Sequence, residues 1–138
     1  MNGTVQAQVM MSFLASDELS FRIPVDLVYE AADPYAVSFT FGLPGDEPVT
    51  WVFGRELLVD GVSRPAGEGD VHIAPVSPEC LADLHIRLQV GAESALLRVS
   101  APPLVAFLDR TDRVVPLGHE PQCADLDAEL DRILAGRP

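Results

Sequence analysis

The chain has 138 residues, with nine basic against 21 acidic side chains and a net charge of −12. So acidic a balance works against binding to phosphate backbones or anionic lipid, both of which reward clustered Lys and Arg. Hydrophobic residues make up 48%, enough for the core of one domain over residues 1–138, but no run approaches the ~20 apolar residues of a membrane span.

Val5, Ala7, Val9, Met11 and Phe13 alternate with Gln6, Gln8, Met10 and Ser12, the period of a half-buried strand. Val9 to Leu14 is the nearest approach to a signal-peptide core, but it alternates and lacks a basic flank, so the chain reads as cytosolic. Ser16-Asp17-Glu18 predicts a hairpin into a second strand, where Phe21, Ile23, Val25, Leu27 and Tyr29 share a face. Pro24 has no N–H to donate and predicts an edge or a bulge there. Asp33-Pro34 predicts a turn opening a third strand, with Tyr35, Val37, Phe39 and Phe41 as its large apolar face. After a turn-rich loop at Gly42 to Asp46, Val49, Trp51 and Phe53 mark a fourth strand. Arg55 to Val59 predicts a short helix ended by Asp60-Gly61.

Three more strands are expected at 70–75, 84–90 and 94–99, the last two joined tightly through Gly91-Ala92. Ser100 stands as the N-cap of a helix whose first turn accepts Pro102-Pro103. In that helix Leu104, Phe107, Leu108 and Thr111 form a stripe, with Asp109, Arg110 and Arg113 facing away. Asp125 caps a last helix with an apolar stripe of Leu126, Leu130, Ile133 and Leu134, ended by Gly136. Seven strands followed by helices give an α+β fold with two packed antiparallel sheets and C-terminal helices.

Residue chemistry nominates no catalytic, cofactor or metal site. His72 and His85 sit on strand faces opposite the apolar residues, and neither they nor His119 has a triad-like spacing to a nucleophile. His72, Cys80, His85 and Cys123 form no local ligand motif. The two cysteines make no CxxC pair and read as reduced thiols. Gly67-Glu68-Gly69-Asp70 places two carboxylates in a loop that enters a strand, a turn and not a phosphate cradle. Asp109/Asp112 and Asp127/Asp131 read as solvated helix faces, and Arg110 either shares that face or forms half of a structural ion pair with a neighbouring acid. Tyr35, Phe39, Phe41, Trp51 and Phe53 alternate too strictly, with no interleaved cations, for a base-stacking platform. They read as a core or subunit interface.

Several segments in register resemble the SsgA-like proteins, small regulators of sporulation-specific cell division in actinobacteria. They are DPYAVSFTF (33–41), WVFGRELLVDG (51–61), RPAGEGDVHI (64–73), FLDRTD (107–112), VPLG (115–118) and DLDAEL (125–130). The absence of lysine alongside abundant Ala, Gly, Pro and Val agrees with an actinobacterial origin. Two departures stand out: Gly54, where the family usually carries alanine, and an idiosyncratic loop at Val76 to Asp83. The resemblance implies a Whirly-like architecture of two curved sheets, a homotrimer, and no enzymatic activity. It further implies a cytoplasmic adaptor, recruited to division septa, that acts on septum placement or septal peptidoglycan through division and cell-wall proteins. The contact surface stays open between the solvent face of the Ser100 to Arg113 helix and the Val76 to Asp83 loop. Strand edges around Val25 and Val28 are the candidates for joining subunits. The alternative reading is a single-stranded nucleic-acid-binding module, which Whirly relatives suggest and the acidic charge opposes. A small-molecule regulator using a cavity between sheets is a third.

Overall fold

The computed structural model describes residues 3–43 and 45–120. Its elements in chain order are β1 (Thr4–Leu14), β2 (Ser20–Glu30), β3 (Ala36–Phe41), β4 (Val49–Gly54), α1 (Arg55–Gly61), β5 (Ala66–Glu68), β6 (Val71–Ser77), β7 (Cys80–Val90), β8 (Glu93–Ser100) and α2 (Ala101–Val114). All strand pairs are antiparallel. The expected last helix and Cys123 lie outside the described residues.

The two sheets expected from the sequence are one. Its strand order, β4-β3-β2-β1-β8-β7-β6-β5, places two four-stranded meanders edge to edge along β1 and β8. That seam is narrow: only Ser12↔Arg98 and Phe13↔Leu97 pair across it, whereas β1 and β2 pair along their full length from Thr4↔Glu30 to Leu14↔Ser20. The right-handed twist of strands, accumulated over eight of them, curls the halves toward each other. Helix α1 then packs on β4, β5 and β6, touching both outer strands. The halves thus face each other as two packed sheets would, but the backbone ladder runs on through the seam.

The alternation anticipated in each strand appears as burial. Val9, Met11, Ile23, Val25, Leu27, Tyr29, Val37, Phe39 and Phe53 of one half join Ile73, Leu84, Ile86, Leu88, Leu97 and Val99 of the other in one apolar cluster. Leu57 and Leu58 of α1 and Leu104, Phe107 and Leu108 of α2 belong to it too. Thr111 is also fully buried, as the predicted stripe requires. Ser100 is the N-cap of α2, though its hydroxyl caps no amide.

Four local expectations need correction. Tyr35 is exposed in the turn before β3, because Asp33-Pro34 delays the strand to Ala36. Pro24 lies in an interior strand, β2; its carbonyl accepts from Gly42 just beyond the last β2–β3 rung, Val25↔Phe41, so the absent N–H falls where β3 leaves the ladder. Val25 is fully buried and Val28 half-buried between paired neighbours, so neither forms a sheet edge; the edges are β4 and β5. Finally, Val76 to Asp83 is no loop. β6 reaches Ser77, β7 begins at Cys80, and Ser77↔Cys80 closes a two-residue turn at Pro78-Glu79. Pro75 and Pro78 obscure these strands in the sequence. Pro75 is tolerated beside a register shift and beyond the three-residue β5, where β6 has no neighbour on that side among the described residues.

Candidate functional site

The strongest polar construction is internal and was missed by sequence reasoning. Arg55, the first residue of α1, is completely buried. Its Nη1 donates to the carbonyls of Thr111 (3.1 Å) and Val115 (2.6 Å), and its Nη2 to Oε2 of Glu120 at 2.7 Å. Its guanidinium lies 5.0 Å from the centre of the Tyr29 ring, and the Tyr29 hydroxyl donates to the Pro34 carbonyl. Nε finds no partner among the described residues. The backbone N–H of Arg55 donates to the Tyr35 carbonyl at 2.7 Å, fixing where α1 begins.

Thr111 and Val115 stand at the end of α2, where the Thr111 carbonyl also accepts from the Val115 N–H at 2.9 Å and the Val115 carbonyl lies past the last helical turn. Arg55 thus supplies both hydrogen bonds and a positive charge at the negative end of that helix. Burial alone would raise the Glu120 carboxyl. The hydrogen bond and charge of Arg55, with N–H groups of Glu120 itself and Gly118, outweigh it and hold that carboxyl below its usual range. The arrangement ties β2, α1, the end of α2 and the following segment together. It offers no exposed reacting group, so its chemistry is that of a strut.

The residues singled out in the sequence are dispersed. His72 packs over Gly67 on β6; His85 is half-buried on β7; His119 is exposed after α2. Among the described residues no three potential metal ligands gather, and no helix is long and apolar enough to cross a membrane. Burial, then the charges of Arg98 and Arg87, lower the His85 pKa against a smaller opposing effect of Asp83. Arg110 forms no ion pair among the described residues: its guanidinium lies 5.9 Å from the Phe107 ring, and Asp109 bonds to Arg113 instead. Asp112 accepts from the Leu117 N–H at 2.8 Å, so that acid closes the end of α2. Asp127 and Asp131 lie outside the described residues. Phe39, Phe41 and Phe53 are buried together, Phe39 and Phe53 at 4.5 Å between ring centres.

Trp51 is only half-buried because it lines an open apolar cavity of 290 Å³ between the two halves. Phe41 and Trp51 form one wall, Leu88 and Val90 the other, with Phe13 and Leu97 of the seam between them. The cavity occupies the ends of β4 and β8 opposite those that lead into α1 and α2, so neither helix covers it. Val49 (41% exposed) and Val90 (58%) line its wall, and Phe21 (42%) lies exposed beside Ile23 in β2. A second cleft, lined by Tyr35, Gly54, Glu56, Glu68 and Glu120, opens beside the buried arginine.

Comparison with known proteins finds relatives in both sequence and fold. The family model described as "Streptomyces sporulation and cell division protein, SsgA" matches residues 23–120. The chain is 43% identical over 135 residues to the sporulation-specific cell division protein SsgB of Streptomyces coelicolor, covering 98% of each. A solved structure titled "Mutations in SsgB correlate to longitudinal cell division during sporulation of Streptomyces coelicolor" superposes with a TM-score of 0.81 at 41% identity, covering 89% of this chain and 97% of that one. The crystal structure of an SsgA-like sporulation-specific cell division protein from Thermobifida fusca gives a TM-score of 0.87 at 34% identity, covering 95% and 96%.

Proposed function

The chain belongs to the SsgA family, and on that premise we propose that it regulates sporulation-specific cell division through protein–protein contacts, without catalysis of its own. Septum placement or septal peptidoglycan is the process acted upon, and division or cell-wall proteins are the partners. The observation that carries this reading is the open apolar cavity with Val49 and Val90 on its wall. An apolar patch left uncovered on a water-exposed molecule marks a contact surface, and a cavity walled by Phe13, Phe41 and Trp51 accepts the aromatic or aliphatic anchors that dominate interface energetics.

The same reading takes the protein as a cytoplasmic homotrimer of one Whirly-like domain per chain, recruited to septa. Three copies present every patch three times, so contacts too weak singly gain avidity on a clustered assembly. The test is retention of division and cell-wall proteins of the source organism on the immobilised protein. Recovery of such a partner is expected; a result in which none is retained, while an enzyme of unrelated metabolism binds tightly, overturns the reading.

A further inference from the structure

The face of the sheet turned away from the core carries a feature at odds with the charge of the whole chain. Among the described arginines, Arg55, Arg64, Arg98 and Arg113 hold carboxylates, and Arg110 lies on an aromatic ring. Arg22 and Arg87 hold none among the described residues, although acids outnumber basic residues 21 to nine. Both lie on this outer face. Arg22 precedes buried Ile23, Arg87 stands between buried Ile86 and Leu88, and Arg98 between buried Leu97 and Val99.

The register brings them together. Ser12 pairs with Arg22 on one side and Arg98 on the other, and Arg98 pairs in turn with His85. Arg87 follows two positions along β7, on the same face as His85. Two strand spacings separate Arg22 from Arg98, about 10 Å, and His85 and Arg87 are about 7 Å apart along their strand. The row crosses the β1–β8 seam, so both halves of the sheet contribute to it. One carboxylate already touches it: Asp83 accepts from Arg98 at 2.7 Å, while the Arg98 side chain stays 44% exposed. At its other margin Asp26 is engaged by Gln8 at 3.0 Å.

We propose that the outer-face row of Arg22, Ser12, Arg98, His85 and Arg87 is a docking surface for an extended acidic segment of a partner protein. Carboxylates on alternate residues of an extended chain recur about every 7 Å, close enough to the spacings of the row for the long arginine side chains to reach them. Guanidinium groups engage carboxylates through paired hydrogen bonds. A short acidic peptide suits the row better than a long polyanion, whose flanks would meet the −12 charge of the remaining surface. The proposal rests on the adaptor reading and names the chemistry of one partner.

A fluorescein-labelled peptide of alternating Glu and Ser, followed by anisotropy at low salt, tests it. Arg22→Glu/Arg87→Glu is expected to weaken binding by about tenfold or more. Arg110→Glu/Arg113→Glu, with the same change in net charge, is expected to stay within about twofold of the parent. Equal loss in both pairs reduces the effect to overall charge and overturns the proposal, as does no loss in either. Binding of single-stranded oligonucleotide or phosphatidylglycerol vesicles through Arg22 and Arg87, with no peptide binding, overturns it too. If the reversed variant fails to fold, Arg22→Gln/Arg87→Gln provides the same comparison, with a smaller expected loss. Retention of division proteins by the parent and the variant separates the two readings. Undiminished retention by the variant defeats the row alone, whereas no retention by the parent defeats the adaptor reading while the peptide still judges the row.

Discussion

Arg55 shows what one buried charge does to this fold. Removing the guanidinium by Arg55→Ala takes the charged partner from the Glu120 carboxylate and a donor from each of two carbonyls at the end of α2, while Glu120 keeps the Gly118 N–H and Thr111 the Val115 N–H. Breaking a buried pair from one side costs about 3–5 kcal/mol, so urea denaturation should show a loss of that size. An unchanged midpoint would mean that the network contributes nothing to stability. The acid limb follows from the depressed Glu120 carboxyl. Because its folded value lies below the unfolded one, about 4.3, its stabilisation is present above that pH and fades as pH falls through the folded value. Glu120→Gln should therefore flatten the dependence of unfolding free energy on pH below about 4.5, at the expense of stability near neutrality. None of this was legible beforehand. Arg55 follows a strand and opens a short helix, where an arginine reads as solvated, and its partner stands 65 positions away.

The elements themselves were largely legible, and the exceptions have particular causes. Alternation located β1, β2, β4, β7 and β8 because one face is buried and the other is not. Gly91-Ala92 fixed the β7–β8 turn, where Gly91 takes a φ of 61° between paired Val90 and Glu93. β5 escaped because Ala66-Gly67-Glu68 carries no large apolar residue, and its identity as a strand comes only from pairing with β6. Two glycines at the ends of α1 make opposite predictions. A Cβ on Gly61 would stand 2.5 Å from Cγ2 and 2.7 Å from Cβ of Ile73, so the helix rests directly on β6 there. Gly61→Ala should destabilise by about 1–3 kcal/mol in a denaturant titration, despite the better helix propensity of alanine. Gly54, with φ −66° and ψ 135°, makes no conformational demand; the tightest contact of its added Cβ would be the far end of Glu68, at 3.3 Å, with Leu57 at ordinary contact distance. Gly54→Ala should then change stability by less than about 1 kcal/mol, so the seating of α1 makes little demand on which of the two residues stands there. A large loss at Gly54, or none at Gly61, would contradict this account of how α1 is seated.

At the scale of the whole molecule, the two-rung seam decides what is exposed. Had β1 and β8 paired along their length, Phe13 and Leu97 would be sealed between neighbouring rungs, and the space between the halves would close. Instead the meanders diverge beyond that short join, and the apolar cavity opens where neither helix reaches. Strand alternation in the sequence cannot reveal this, since it reports which face is buried and not how far two non-adjacent strands run together. The consequence is a division of labour between surfaces: an apolar opening suited to another subunit or an aromatic anchor, and a cationic row on the outside suited to an acidic segment. If subunits join through the opening, Val90→Glu should lower the mass measured by light scattering, because a carboxylate in an apolar contact loses its hydration without a partner. Val90 is 58% exposed in the isolated chain, so the substitution should shift the stability of that chain by no more than about 0.5 kcal/mol. A smaller assembly with an unchanged denaturation midpoint would place the subunit contact at the opening. An unchanged mass would leave it to the external partner alone, and retention of the division proteins by Val90→Glu should then fall instead.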